Sequence, residues 1–152
     1  MLDARRILVI GGSSDNTTSI ATAEILDTGT TFAPDPIMRA ERYRCAAVLL
    51  PGGHRRVLVV GGNAGSTNHT TTEILDIDTM SFSLVPVISL ARSWCTVFSL
   101  PGLSLVVGGY GAAGMTIMAE VLLLQAVTFA AEPAIRTARS LWTTLTLQQA
   151  HS

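Results

Sequence analysis

Gly109, Gly111 and Gly114 form a G-x-G-x-x-G spacing directly behind the apolar run "LSLVV" (residues 103–107). Glycines so placed let a backbone approach a pyrophosphate, so the stretch offers dinucleotide chemistry if a helix and a second parallel strand follow. Other reactive side chains are sparse. His54, His69 and His151 stand in unrelated contexts with no metal-ligand spacing. Cys45 and Cys95 form neither a C-x-x-C pair nor a disulfide framework. All ten basic residues are arginine, which leaves no lysine for a Schiff base or a phosphate loop. No Ser-His-Asp or paired-carboxylate arrangement is visible. The expectation is therefore no catalytic residue, no metal site and no cofactor.

The elements that would position these residues repeat along the chain. "RILVIGG" (6–12), "RVLVVGG" (56–62) and "LSLVVGG" (103–109) share an opening. "TAEILDTGTTF", "TTEILDIDTMSF" and "MAEVLLLQAVTF" follow in the same order, aligning Glu24 with Glu73 and Glu120, and Phe32 with Phe82 and Phe129. An arginine stands ten residues after each Phe (Arg42, Arg92, Arg139), and three residues further comes Cys45, Cys95 or Trp142. The equivalents of "GGYGAAG" are "GGSSDNT" and "GGNAGST", which do not keep the G-x-G-x-x-G spacing. Only the pairs Gly11–Gly12, Gly61–Gly62 and Gly108–Gly109 recur. They read as structural repeat glycines, and a dinucleotide site is not expected.

Three units of about fifty residues follow, at 6–55, 56–102 and 103–152. Each reads as four short strands: an apolar run stopped by Gly-Gly, a run ending near Leu-Asp, a strand around the Phe, and a strand after the arginine. Asp-rich turns and Pro-containing links join them. A period near fifty with four strands per unit is a β-propeller signature. The sequence resembles kelch repeats over about residues 6–147, on the Gly-Gly strand, the Leu-Asp strand end, the aromatic and the following arginine. Leu26 and Leu75 stand where that family usually has Tyr, Phe32, Phe82 and Phe129 where it has Trp, and Leu124 replaces the third Asp. The expected fold is all-β, a partial propeller of about three four-stranded antiparallel blades. Three blades are too few to surround an axis. The chain then reads as a fragment of a larger ring, or as a half-ring completed by self-association.

The resemblance implies a binding scaffold whose loop-lined face receives a protein or peptide partner. Arg42, Arg92, Arg139, Asn63 and Tyr110 are its candidate contacts, the arginines as forked donors for carboxylate or phosphoryl groups. The alternative assigns the repeated arginines to structure, paired with Glu24, Glu73 and Glu120. A second function class is a segment of a carbohydrate-active or oxidase-type propeller enzyme whose catalytic residues lie outside this chain. Kelch-like oxidases need Tyr, His and Cys ligands, and only Tyr43 and Tyr110 supply the first. A formal charge of −1 predicts no nucleic-acid partner. Four glycines and the repeat argue against a membrane span across residues 103–127. The apolar run at the N-terminus is too short for a signal peptide, so cytoplasmic location is the default. "NTT" at Asn16 and "NHT" at Asn68 are read as chance sequons.

Overall fold

A computed structural model describes residues 6–27, 36–52, 55–123 and 128–132. Its strands are β1 (Arg6–Ile10), β2 (Ala23–Asp27), β3 (Ala46–Leu49), β4 (Arg56–Val60), β5 (Asn63–Ala64), β6 (Thr67–Asn68) and β7 (Thr72–Asp76). They continue as β8 (Ser81–Val85), β9 (Thr96–Leu100), β10 (Leu103–Val107), β11 (Tyr110–Gly111), β12 (Gly114–Met115), β13 (Ala119–Leu123) and β14 (Thr128–Glu132). All pairings are antiparallel. The first sheet is β1-β2, the second β3-β4-β7-β8 and the third β9-β10-β13-β14. The small ribbons β5-β6 and β11-β12 stand apart. The protein is all-β, with no helix among the described residues.

The sheets begin one strand earlier than the repeats do. Ala46–Leu49 lies in the first sequence unit but pairs with β4 of the second, Ala46 opposite Val60 and Leu49 opposite Val57. Hydrophobic pattern explains the stacking. On β4, Val57 to Val60 are all buried, which requires cover on both faces. Val57 and Val59 pack with Ile25, Leu8 and Ile10 of the first sheet. Leu58, Val60 and Ile74 pack with Val97, Val106 and Leu122 of the third. On β1 the pattern alternates, and Ile7 and Val9 are each 53% exposed.

Residues 111 and 114 of the G-x-G-x-x-G stretch close the two-residue ribbon β11-β12 instead of opening a helix. The apolar stretch from Leu103 folds back on itself, Leu103 opposite Leu123 and Val107 opposite Ala119. Among the described residues no helix is long and apolar enough to cross a membrane.

Candidate functional site

The Gly-Gly pairs are where the sheets are joined. Gly61 has φ +61°, and a Cβ there would strike the Arg92 carbonyl oxygen; Gly11, at φ +58°, meets the Arg42 carbonyl in the same way. That closeness is used. The Gly62 N–H donates to the Arg92 carbonyl at 3.0 Å, and the Gly12 N–H to that of Arg42 at 2.9 Å. Each connector is thus zipped by its backbone onto the unit it leaves: Met38 N–H donates to Ala21, Arg42 N–H to Ile20, Ile88 N–H to Thr70 and Arg92 N–H to His69.

The arginine side chains point the other way, into the next sheet. Arg42 donates from Nη1 to the Gly61 and Thr71 carbonyls at 2.7 and 3.1 Å, and from Nη2 to Glu73 Oε1 at 2.7 Å. Arg92 repeats this with Gly108 and Met118, at 3.1 and 2.9 Å, and with Glu120 Oε1 at 2.5 Å. The carboxylates take further N–H groups from the connectors, Arg39 on Glu73 at 2.8 Å and Ser89 on Glu120 at 2.6 Å. The Arg42 and Arg92 side chains are both 0% exposed. Neither presents a guanidinium to a partner, because a charge this deep stays only where it is paired. Arg139 lies outside the described residues. Glu24, expected to be buried like its equivalents, is instead exposed.

Above the buried pairs lies an open groove of about 540 Å³. Asn63 and Tyr110 line it, together with Tyr43, Arg44, Asn68 and Trp94. Backbone bridges fix these positions: Tyr43 and Asn63 exchange N–H···O bonds at 3.0 and 2.9 Å, and Ser93 and Tyr110 at 3.0 and 2.7 Å. Asn68 Nδ2 donates to the Tyr110 carbonyl at 3.0 Å. Arg44 and Trp94 occupy equivalent places in successive units, and both have φ +56°, a left-handed conformation that bulky residues seldom adopt. There the chain turns from the buried arginine into the next strand, and the turn aims these two side chains at the groove. The Arg44 guanidinium carbon sits 4.5 Å from the ring centroids of both Tyr43 and Trp94. Such stacking orders the cation at about 0.5–1 kcal/mol per ring. Among the described residues no carboxylate pairs with Arg44.

Sequence reasoning passed over Arg44 and Trp94, and weighed Tyr43 only as a possible oxidase-type ligand. Their signal was positional: "RYRC" and "RSWC" keep the flanking Arg and Cys while the two residues between vary. His69 donates from Nε2 to the Glu41 carbonyl at 3.0 Å. Burial, and then the Arg42 charge, hold its imidazole below the usual histidine range. Burial pushes the Cys95 thiol up to about 12, and raises the Cys45 thiol as well. These are packing cysteines, not nucleophiles. No group of three or more potential metal ligands occurs among the described residues. No protein-family model matches the chain, and no curated protein matches it either.

Proposed function

We propose that the stacked sheets are successive blades of a kelch-type propeller segment, and that the groove binds an acidic peptide segment of a partner protein. One observation carries this reading: a guanidinium stacked on two aromatic rings at an open groove, with no carboxylate paired to it among the described residues. Aromatic residues and arginine are the side chains from which interfaces draw most of their energy. A pre-ordered guanidinium engages a carboxylate through two parallel N–H donors with little further ordering. Asn63 and Asn68, whose Nδ2 groups donate to the Gly65 and Tyr110 carbonyls, hold the groove wall in place. The buried arginines take no part in recognition and hold the groove walls at fixed separation.

Selection from a displayed peptide library tests the proposal, with calorimetry on the enriched peptides. The expected outcome is enrichment of Asp- and Glu-containing sequences. Arg44→Met and Trp94→Ala should each weaken binding on the order of 30-fold while leaving the melting curve in place. Enrichment of basic sequences, or binding that ignores both substitutions, refutes it.

A further inference from the structure

The groove has two unlike walls. Its ribbons β5-β6 and β11-β12 are copies of one loop: the His69 N–H donates to the Gly62 carbonyl and the Thr116 N–H to that of Gly109, both at 2.9 Å. By that alignment Tyr110 and Met115 take the places of Asn63 and Asn68, and in each ribbon the two residues stand opposite each other. Ser13 and Ser19 hold the same places in the first unit, bridged in the same way, and the Ile20 N–H donates to the Gly12 carbonyl at 3.0 Å. The pair is thus polar twice and apolar once, and the apolar pair is open: Tyr110 is 51% and Met115 57% exposed. Opposite partners share one face of a ribbon, so the phenol ring and the thioether stand side by side on it. Other groups hold the ribbon in place. Ser93 and Tyr110 exchange backbone bonds, Asn68 Nδ2 donates to the Tyr110 carbonyl at 3.0 Å, and a Cβ at Gly111 would lie 3.0 Å from the Ala91 carbonyl oxygen. The two side chains are therefore fixed at the base and open at their ends.

We propose that this wall is an apolar subsite, and that the segment the groove accepts carries a large apolar side chain at a fixed offset from its carboxylate. The inference rests on the acidic-peptide reading above and names a second feature of the same ligand. A carboxylate on Arg44 does not fill the space: 540 Å³ falls in the range of about 300–1,000 Å³ that takes a whole small molecule. Among the described residues Arg44 is the one charged group lining it, and Tyr43, Trp94, Tyr110 and Met115 supply its apolar surface. Charge complementarity therefore places an acid at Arg44, and removing Tyr110 and Met115 from water favours an apolar neighbour. Methionine adapts to many shapes, so the subsite selects for apolar bulk and admits Leu, Ile, Met and Phe alike.

The decisive variant copies the second ribbon into the third, Tyr110→Asn together with Met115→Asn. Both side chains are exposed and the second ribbon carries the same two residues, so circular dichroism should show the unmodified fold and melting curve. From a displayed library, the unmodified protein should enrich peptides with Asp or Glu and, at one constant offset, a large apolar residue. Replacing that residue by Ala in a synthetic peptide should weaken calorimetric affinity on the order of 10-fold. The double variant should bind the two peptides within about 2-fold of each other, the mark of a lost pairwise contact. Its acidic preference should remain, since Tyr43, Arg44 and Trp94 are untouched. Acidic peptides with no apolar position, or an apolar position that survives the double variant, overturn the subsite and leave the Arg44 reading standing. A library with no acidic preference overturns both. If the double variant does not fold, Met115→Gln, which keeps the length of the side chain, decides by the same comparison of peptides.

Discussion

Replacing Arg92 with methionine keeps most of the side-chain volume and removes only the guanidinium. In the native structure that group donates to three carbonyls, Leu90, Gly108 and Met118, and to Glu120. Without it, the Glu120 carboxylate, itself 1% exposed, keeps the Ser89 N–H as its connector donor. Leaving a buried charge in that condition costs about 3–5 kcal/mol. A domain of this size has about 5–15 kcal/mol in total and loses about 2–4 °C of melting temperature per kcal/mol. The expected drop is therefore about 6–20 °C by calorimetry or circular dichroism. Arg39→Ala, at an exposed side chain, is the control and should stay within about 0.5 kcal/mol. The double change Arg92→Met with Glu120→Leu should recover most of the loss, since an apolar pair of similar volume can replace a buried ion pair. If Arg92→Met melts with the control, the ion pair does not hold the sheets together and the stacking argument fails.

Gly61→Ala should destabilise by more than the strain of a left-handed alanine, about 1–2 kcal/mol, because its Cβ also strikes the Arg92 carbonyl. Gly65→Ala, at φ +56° with nothing within 4 Å, isolates the strain alone, and equal losses in urea melts would rule out the clash. His69 predicts a pH dependence. Its folded imidazole binds a proton less readily than the ordinary value of 6.5, so the unfolded chain gains protons first as pH falls below that value. Stability should decline from pH 7 toward pH 5, and His69→Gln should flatten that decline; parallel pH profiles would dismiss the assignment.

Recurrence made the strands legible. An apolar run stopped by Gly-Gly, then Glu within a second run, marks β1, β4 and β10 with their partners β2, β7 and β13. The Asp76 turn was equally readable, its carboxylate accepting the Asp78 and Thr79 N–H groups at 3.0 Å. The destination of each arginine was not. Arg42 and Glu73 stand 31 residues apart and in different sequence units. A pattern along the chain records that both recur, not that one reaches forward to the other. Glu24 breaks the pattern for the same reason: its sequence matches Glu73, but the surroundings that bury Glu73 come from another unit. Arg44 and Trp94 carried no repeat signal, because the two units hold different residues at that position.

The turn between the first two strands of each four-stranded sheet has a consequence for how the molecule tolerates change. Val48 pairs with Leu58, and its counterpart Phe98 with Leu105, so the second turn is three residues shorter. Yet the arginine, its carbonyl acceptors and its carboxylate superimpose in chemistry from one unit to the next. Insertions at that end are separated from the ion pair by a strand's length, roughly 13 Å. One extra residue beside Arg92 would instead unseat its backbone bonds with Gly62 and His69 and its ion pair with Glu120 together. Length variation therefore has a permitted pole and a forbidden one, and grafted loops belong at Pro51 or Pro101.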